Sequence, residues 1–155
     1  MSSTTFSGPV TSTNGFVGNL TGNVTGDITG SVANPTYTHT PTAINATATA
    51  TAAQVATGYI KSTSAGATTI TLPTGTLLGT ALGAVQGTVF DLYVDNTAGA
   101  STVTMAVAVN GIKSALAAAV AASAGLLTVP SGVTGQAQFT LMFSSATAYT
   151  FSRVA

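Results

Sequence analysis

Five stretches of this chain alternate apolar and polar residues with a period of two. "TTITL" (68–72) turns Ile70 and Leu72 to one side and Thr69 and Thr71 to the other. "TVFDLYVD" (88–95) sets Phe90, Leu92 and Val94 against Val89, Asp91 and Tyr93. "TVTMAVAV" (102–109) aligns Val103, Met105, Val107 and Val109, while "QFTLMF" (138–143) aligns Phe139, Leu141 and Phe143. "AYTFSRV" (148–154) aligns Tyr149 with Phe151. Successive side chains of an extended backbone point to opposite faces, so each stretch reads as a strand with one face to bury. Turn chemistry lies between them at "DNTAGA" (95–100), "NG" (110–111), "PSG" (130–132) and "SSAT" (144–147). Weaker strand patterns fall near 55–63 and 125–129. Short strands at a spacing of roughly ten residues predict an all-β sandwich or barrel. Its core is expected from Ile70, Leu72, Phe90, Leu92, Val94, Val103, Met105, Val107, Phe139, Leu141, Phe143 and Phe151.

Two segments break the alternation. "TGTLLGTALGA" (74–84) follows Pro73 and spaces Leu77, Leu78, Ala81 and Leu82 as a helix does, which predicts one short helix. In "IKSALAAAVAASA" (112–124) alanine content favours helix and alternation favours strand. The surrounding strands tip the reading to strand and loop.

The N-terminal region has a different texture. "GNLTGNVTGDITGSV" (18–32) repeats a four-residue unit, and Phe16, Leu20, Val24, Ile28 and Val32 recur every fourth position. A helix would hold Gly18, Gly22, Gly26 and Gly30 in its interior, each costing roughly 1 kcal/mol relative to alanine, which rules it out. In an extended chain the same period is two strand repeats, so apolar residues and glycines share one face. Thr21, Thr25 and Thr29 share the other with Asn19, Asn23 and Asp27. The glycine gaps leave room for another backbone to approach closely. One such strand buries too little to fold alone, so it needs sister copies or a partner surface. The chain thus divides into a repeat arm (1–33), a Pro/Thr/Ala linker (34–53) and a β-sandwich domain (54–155).

Charge narrows the function. Charged residues make up 4% of the 155, against roughly 25% in an ordinary soluble chain. Nothing electrostatic keeps copies apart, which suits a subunit packed in an assembly. Three Lys and Arg residues cannot neutralise a run of phosphates, so a nucleic-acid partner is not expected. Mean hydropathy is +0.50, yet the longest apolar run, "ALAAAVAASAGLL" (115–127), is shorter than the ~20 residues a membrane span requires. "MSSTTFSGPV" has neither a basic start nor an apolar stretch, so synthesis in the cytoplasm without export is expected.

Chemistry is sparse. Asp91 and Asp95 share a strand face but stand ~13 Å apart along it, too far to share a proton or a small metal. They read as a solvated or interface-lining pair, with Asp95 suited to opening a turn. His39 has no second histidine or cysteine to join it on a metal and reads as a linker or contact residue. No serine sits in a nucleophile motif, and no phosphate-binding glycine loop occurs. The tyrosines (Tyr37, Tyr59, Tyr93, Tyr149) are scattered too widely for a sugar-binding platform to be read from the sequence. The chain is expected not to be an enzyme and to hold no metal or cofactor.

"FSGPVTSTNGFVGNLTGNVTGDITG" resembles the N-terminal tracts of virion proteins from tailed bacteriophages, including phages of cyanobacteria. "TITLPTG", "GTVFDLYVDNTAGASTVTMAV" and "FTLMFSSATAYTFSRV" are similar to the C-terminal domains of phage capsid decoration (cement) and head-fibre proteins. The resemblance implies a homotrimer on the capsid exterior, bound to the major capsid protein and stabilising the shell. It implies a jelly-roll-like domain projecting outward and an N-terminal arm that grips the capsid. The arm residues are Phe6, Phe16, Leu20, Gly22, Val24, Gly26, Ile28, Gly30 and Val32, held by strand-type main-chain bonding in a groove between subunits. The alternative is a trimeric tail-fibre or adhesin module that binds a host glycan, with the repeat as a β-helical stalk.

Overall fold

The structure is a computed structural model that describes residues 38–113 and 127–154, all within the unit that runs from Tyr37 to Ala155. The arm residues Phe6, Phe16, Leu20, Gly22, Val24, Gly26, Ile28, Gly30 and Val32 lie outside the described residues, as does 114–124 of the alanine-rich segment.

The chain passes back and forth between two sheets. Strands β1 (Thr42–Ala43), β3 (Tyr59–Lys61), β5 (Val89–Asp95), β7 (Gly111–Lys113), β9 (Gln136–Ser145) and β10 (Ala148–Arg153) form a six-stranded sheet in the order β1-β3-β5-β9-β10-β7. Strands β2 (Ala48–Thr49), β4 (Thr68–Thr71), β6 (Val103–Ala106) and β8 (Thr128–Val129) form a four-stranded sheet in the order β2-β4-β6-β8. Helices α1 (Ala52–Ala56) and α2 (Gly75–Leu82) and a 3-10 turn (Gly132–Thr134) complete the described elements. The β-rich architecture is the one the alternation predicts.

Its connectivity departs from a jelly roll. β1, β3 and β5 pair in parallel, as do β2, β4 and β6. A jelly roll is built from antiparallel Greek keys. Parallel neighbours need a crossover. Here each of the four crossovers runs through the opposite sheet and through one of two short helices, so the early chain winds as a coil. Antiparallel pairing enters late, where β9 inserts between β5 and β10 and β8 closes on β6. Residues 42–50, placed in the linker from sequence, supply β1 and β2 and bury Ile44 and Ala50. The span 55–63, read as a strand, is the end of α1 followed by β3.

Alternation explains which side chains meet between the sheets. Leu92 and Val94 of β5, Ala137, Phe139, Leu141 and Phe143 of β9, and Tyr149 and Phe151 of β10 are buried from the six-stranded sheet. Ile70, Val103, Met105 and Val129 are buried from the other, in the same cluster. Phe139 and Phe151 stack with ring centroids 4.8 Å apart. Phe90 and Val107, expected in the core, are half-buried and pack against its margin. Tyr149 is fully buried and donates its hydroxyl to the Pro73 carbonyl at 3.0 Å. Burial pushes its phenol up to about 12.

The helices are fixed by threonine caps. Thr51 and Gln54 form a reciprocal capping box at α1: the Gln54 N–H donates to Thr51 Oγ1 at 3.2 Å, and the Thr51 N–H to Gln54 Oε1 at 2.8 Å. Thr74 caps α2, which ends at Gly83 with a left-handed φ of 59°. The buried residues of α2 are Gly75, Leu78 and Gly79, while Leu77 is 59% exposed. A Cβ on Gly75 or Gly79 would collide with the carbonyl of Thr147 or Ala146 in the β9–β10 turn. The glycines thus let the helix lie directly on that turn.

Candidate functional site

The outward residues of the six-stranded sheet form rows set by strand register. Tyr59 of β3 sits beside Tyr93 of β5, which sits beside Gln138 of β9. The next row is Lys61, Asp95 and Gln136. On the other side of Tyr93, Asp91 pairs with Thr140 and then Ser152. A further row runs Val89, Met142, Thr150 and Ile112 across β5, β9, β10 and β7.

That last row leaves apolar surface in solvent. Val89 is 57% exposed, Met142 55% and Ile112 60%. Scattered exposed apolar residues need no explanation, whereas aligned ones make a contact surface. Alternation alone would have placed Val89 and Met142 outward, but their adjacency depends on the β5–β9 register.

The tyrosine end of the face is organised by hydrogen bonds. Tyr59 donates its hydroxyl to Asp95 Oδ2 at 2.8 Å. Asp95 Oδ1 accepts from the Thr97 N–H at 2.9 Å and from the Thr97 hydroxyl at 2.6 Å. Asp95 opens the turn as expected, but it is buried and is not one of a solvated pair. Burial disfavours its charge, yet the Thr97 hydroxyl, the Thr97 N–H, the Tyr59 hydroxyl and the Lys61 charge together hold the carboxyl below its ordinary range. Tyr59 is shifted upward, first by burial and then by the carboxylate that accepts its proton; the Gln136 side chain opposes this. Asp91, by contrast, is exposed and accepts from the Thr140 hydroxyl at 2.7 Å.

His39 packs over this end, its ring 5.6 Å from Tyr93 and its Nδ1 3.0 Å from the Thr57 carbonyl oxygen. Gly58 beneath it has φ 75°, and a Cβ there would meet the imidazole. The contact role read from sequence fits this placement. Two hollows flank Tyr93. One of about 290 Å³ is lined by Tyr93, Gln136, Ala137 and Gln138, and one of about 320 Å³ by His39, Val89, Phe90, Asp91 and Tyr93. The four tyrosines look scattered along the chain, but parallel pairing of β3 with β5 brings Tyr59 and Tyr93 side by side.

The arrangement holds aromatic faces, amides and one exposed carboxylate. Among the described residues no three His, Cys, Asp or Glu side chains gather as a metal site, and no helix is long and apolar enough to cross a membrane. Comparison with known proteins returned no matching family model, curated protein or solved structure.

Proposed function

We propose that this chain is a structural virion protein of a tailed bacteriophage, a homotrimer that binds the outside of the capsid and stabilises the shell. The observation that carries the reading is the outward row Val89, Met142, Thr150 and Ile112, in which Val89, Met142 and Ile112 are exposed apolar side chains, on a domain with almost no charge. Such a face gains free energy when copies or a shell surface cover it, and no like-charge repulsion opposes their approach. The repeat tract at 18–32 adds a second means of attachment. Its backbone bonds to the major capsid protein as an added strand, with Leu20, Val24 and Ile28 in small pockets and Gly22 and Gly26 facing the neighbouring backbone. Linked arms make release slow, because one arm rebinds while the others hold.

The test is add-back to particles that lack the protein, with occupancy measured at matched concentration. Wild-type chain is expected to fill its sites with little dependence on salt, since few ions are released on binding. Gly22→Val and Gly26→Val should abolish filling, because branched side chains push strands beyond the ~4.8 Å sheet spacing. Thr25→Ser should fill as wild type does. Glycine variants that bind as well as wild type would remove the clamp and leave the tail-fibre reading in its place.

A further inference from the structure

We propose that the outer face around Tyr93 is a binding site for a neutral saccharide. The proposal concerns a different part of the molecule from the arm and does not depend on attachment to a shell.

Tyr93 is the wall common to both hollows, which at about 290 and 320 Å³ lie at the small end of ligand pockets, roughly 300–1,000 Å³. Such hollows suit single rings on either side of an aromatic residue and are too small for a nucleotide cofactor. A tyrosine ring carries negative charge density on its face, which attracts the polarised C–H bonds on the flat side of a pyranose.

The polar groups match the rest of a sugar. Gln138 lines the first hollow, and its amide donates and accepts at once, as vicinal hydroxyls require. Among the described residues neither the Gln138 side chain nor the Tyr93 hydroxyl makes a hydrogen bond, so both are available to a ligand. Asp91 lines the second hollow, exposed, with acceptor capacity beyond its bond to Thr140. Charge then selects among ligands. Among the described residues neither lining contains Lys or Arg, so a phosphate, sulfate or uronate in the second hollow would meet Asp91 with no cation in its wall.

The site is also held in place without ligand. His39 packs on Tyr93, while Asp95 fixes Tyr59 beside it in the adjacent strand. A site ordered in advance does not lose affinity to ordering on binding.

The experiment titrates the full chain with maltohexaose, cellohexaose, N-acetylchitohexaose and mannohexaose, and separately with dextran sulfate and a mixture of uncharged peptides. Backbone amide NMR shifts are followed at low and high salt. At least one neutral hexasaccharide is expected to shift Tyr93, Gln138 and Asp91, with a Kd of about 1 mM that salt leaves unchanged. Tyr93→Ala should weaken that binding about tenfold or more, and Gln138→Ala should weaken it with the spectrum otherwise folded. Absence of shifts from every neutral sugar up to ~10 mM overturns the proposal. So do shifts centred elsewhere, variants that bind as wild type does, or a preference for the sulfated polymer or the peptides. None of these outcomes bears on particle attachment, which the add-back measures independently.

Discussion

The two faces of the six-stranded sheet are made by the same strands and do opposite work. On β9, Ala137, Phe139, Leu141 and Phe143 point inward and are buried, while Gln138, Thr140 and Met142 point outward. On β5, Leu92 and Val94 are buried, and Asp91 and Tyr93 face out. The inner face is dense with aromatic rings that fit one arrangement, so errors there cost stability. The outer face holds surface that the isolated fold does not use: an apolar row at one end and a tyrosine–amide cluster at the other. What a strand buries explains the fold, and what it leaves outside is where a function has to be sought.

The sharpest way to break this contrast is at Phe139, which is fully buried and stacked on Phe151. Phe139→Ala should lower unfolding free energy by about 3–5 kcal/mol, read from urea denaturation. A loss below about 1 kcal/mol would mean the inner face is not the stabilising one. Next comes the contact of α2 with the β9–β10 turn. Gly79→Ala gains about 1 kcal/mol of helix propensity, but its methyl group collides with the Ala146 carbonyl. A net loss of about 1–3 kcal/mol is expected; a more stable variant would show that the turn yields freely.

Titration separates the faces by pH. Tyr149 ionises near 10.0 when unfolded and at about 12 when folded. Stability from its neutral form is therefore complete below pH 10 and is lost as pH rises through the folded value. Tyr149→Phe should flatten the alkaline limb of stability against pH and cost about 1 kcal/mol at neutral pH, where the bond to Pro73 is lost. Asp95 has the opposite sign. Its carboxyl lies below 3.8 when folded, so its contribution is present above that value and is lost as pH falls through the folded one. Asp95→Asn should flatten the acid limb.

The smallest stability change belongs to the outer face. Met142→Ser and Ile112→Ser should each alter unfolding free energy by no more than about 0.5 kcal/mol, yet weaken self-association in sedimentation velocity. Unchanged association would rule out further copies of the chain as what covers the row.

The faces also differ in how legible they are from sequence. Alternation marks β4, β5, β6, β9 and β10 because each buries every second residue, and most of the core follows from it. Parallel pairing does not follow, since period two is the same for either strand direction. β1 and β2 are two residues each, too short to carry a period, and their Thr/Ala surroundings read as a linker. The pattern near 55–63 reads as a strand, whereas in the structure Thr51 and Gln54 close a capping box that starts α1. In α2 the hydrophobic period selects Leu77, whereas close packing selects Gly75 and Gly79, because a carbonyl turn fits only where side chains are absent. The site is harder still. Tyr59 and Tyr93 become neighbours through register, and the buried Asp95 accepts a hydrogen bond from a hydroxyl on another strand.

Electron cryomicroscopy of particles carrying the full chain would show directly whether it coats the shell as a trimer. Density is expected on the outer surface of the shell, arranged as a threefold cluster of copies with Met142 and Ile112 covered. Density confined to the tail, or single copies on the shell with that row in open solvent, would contradict this.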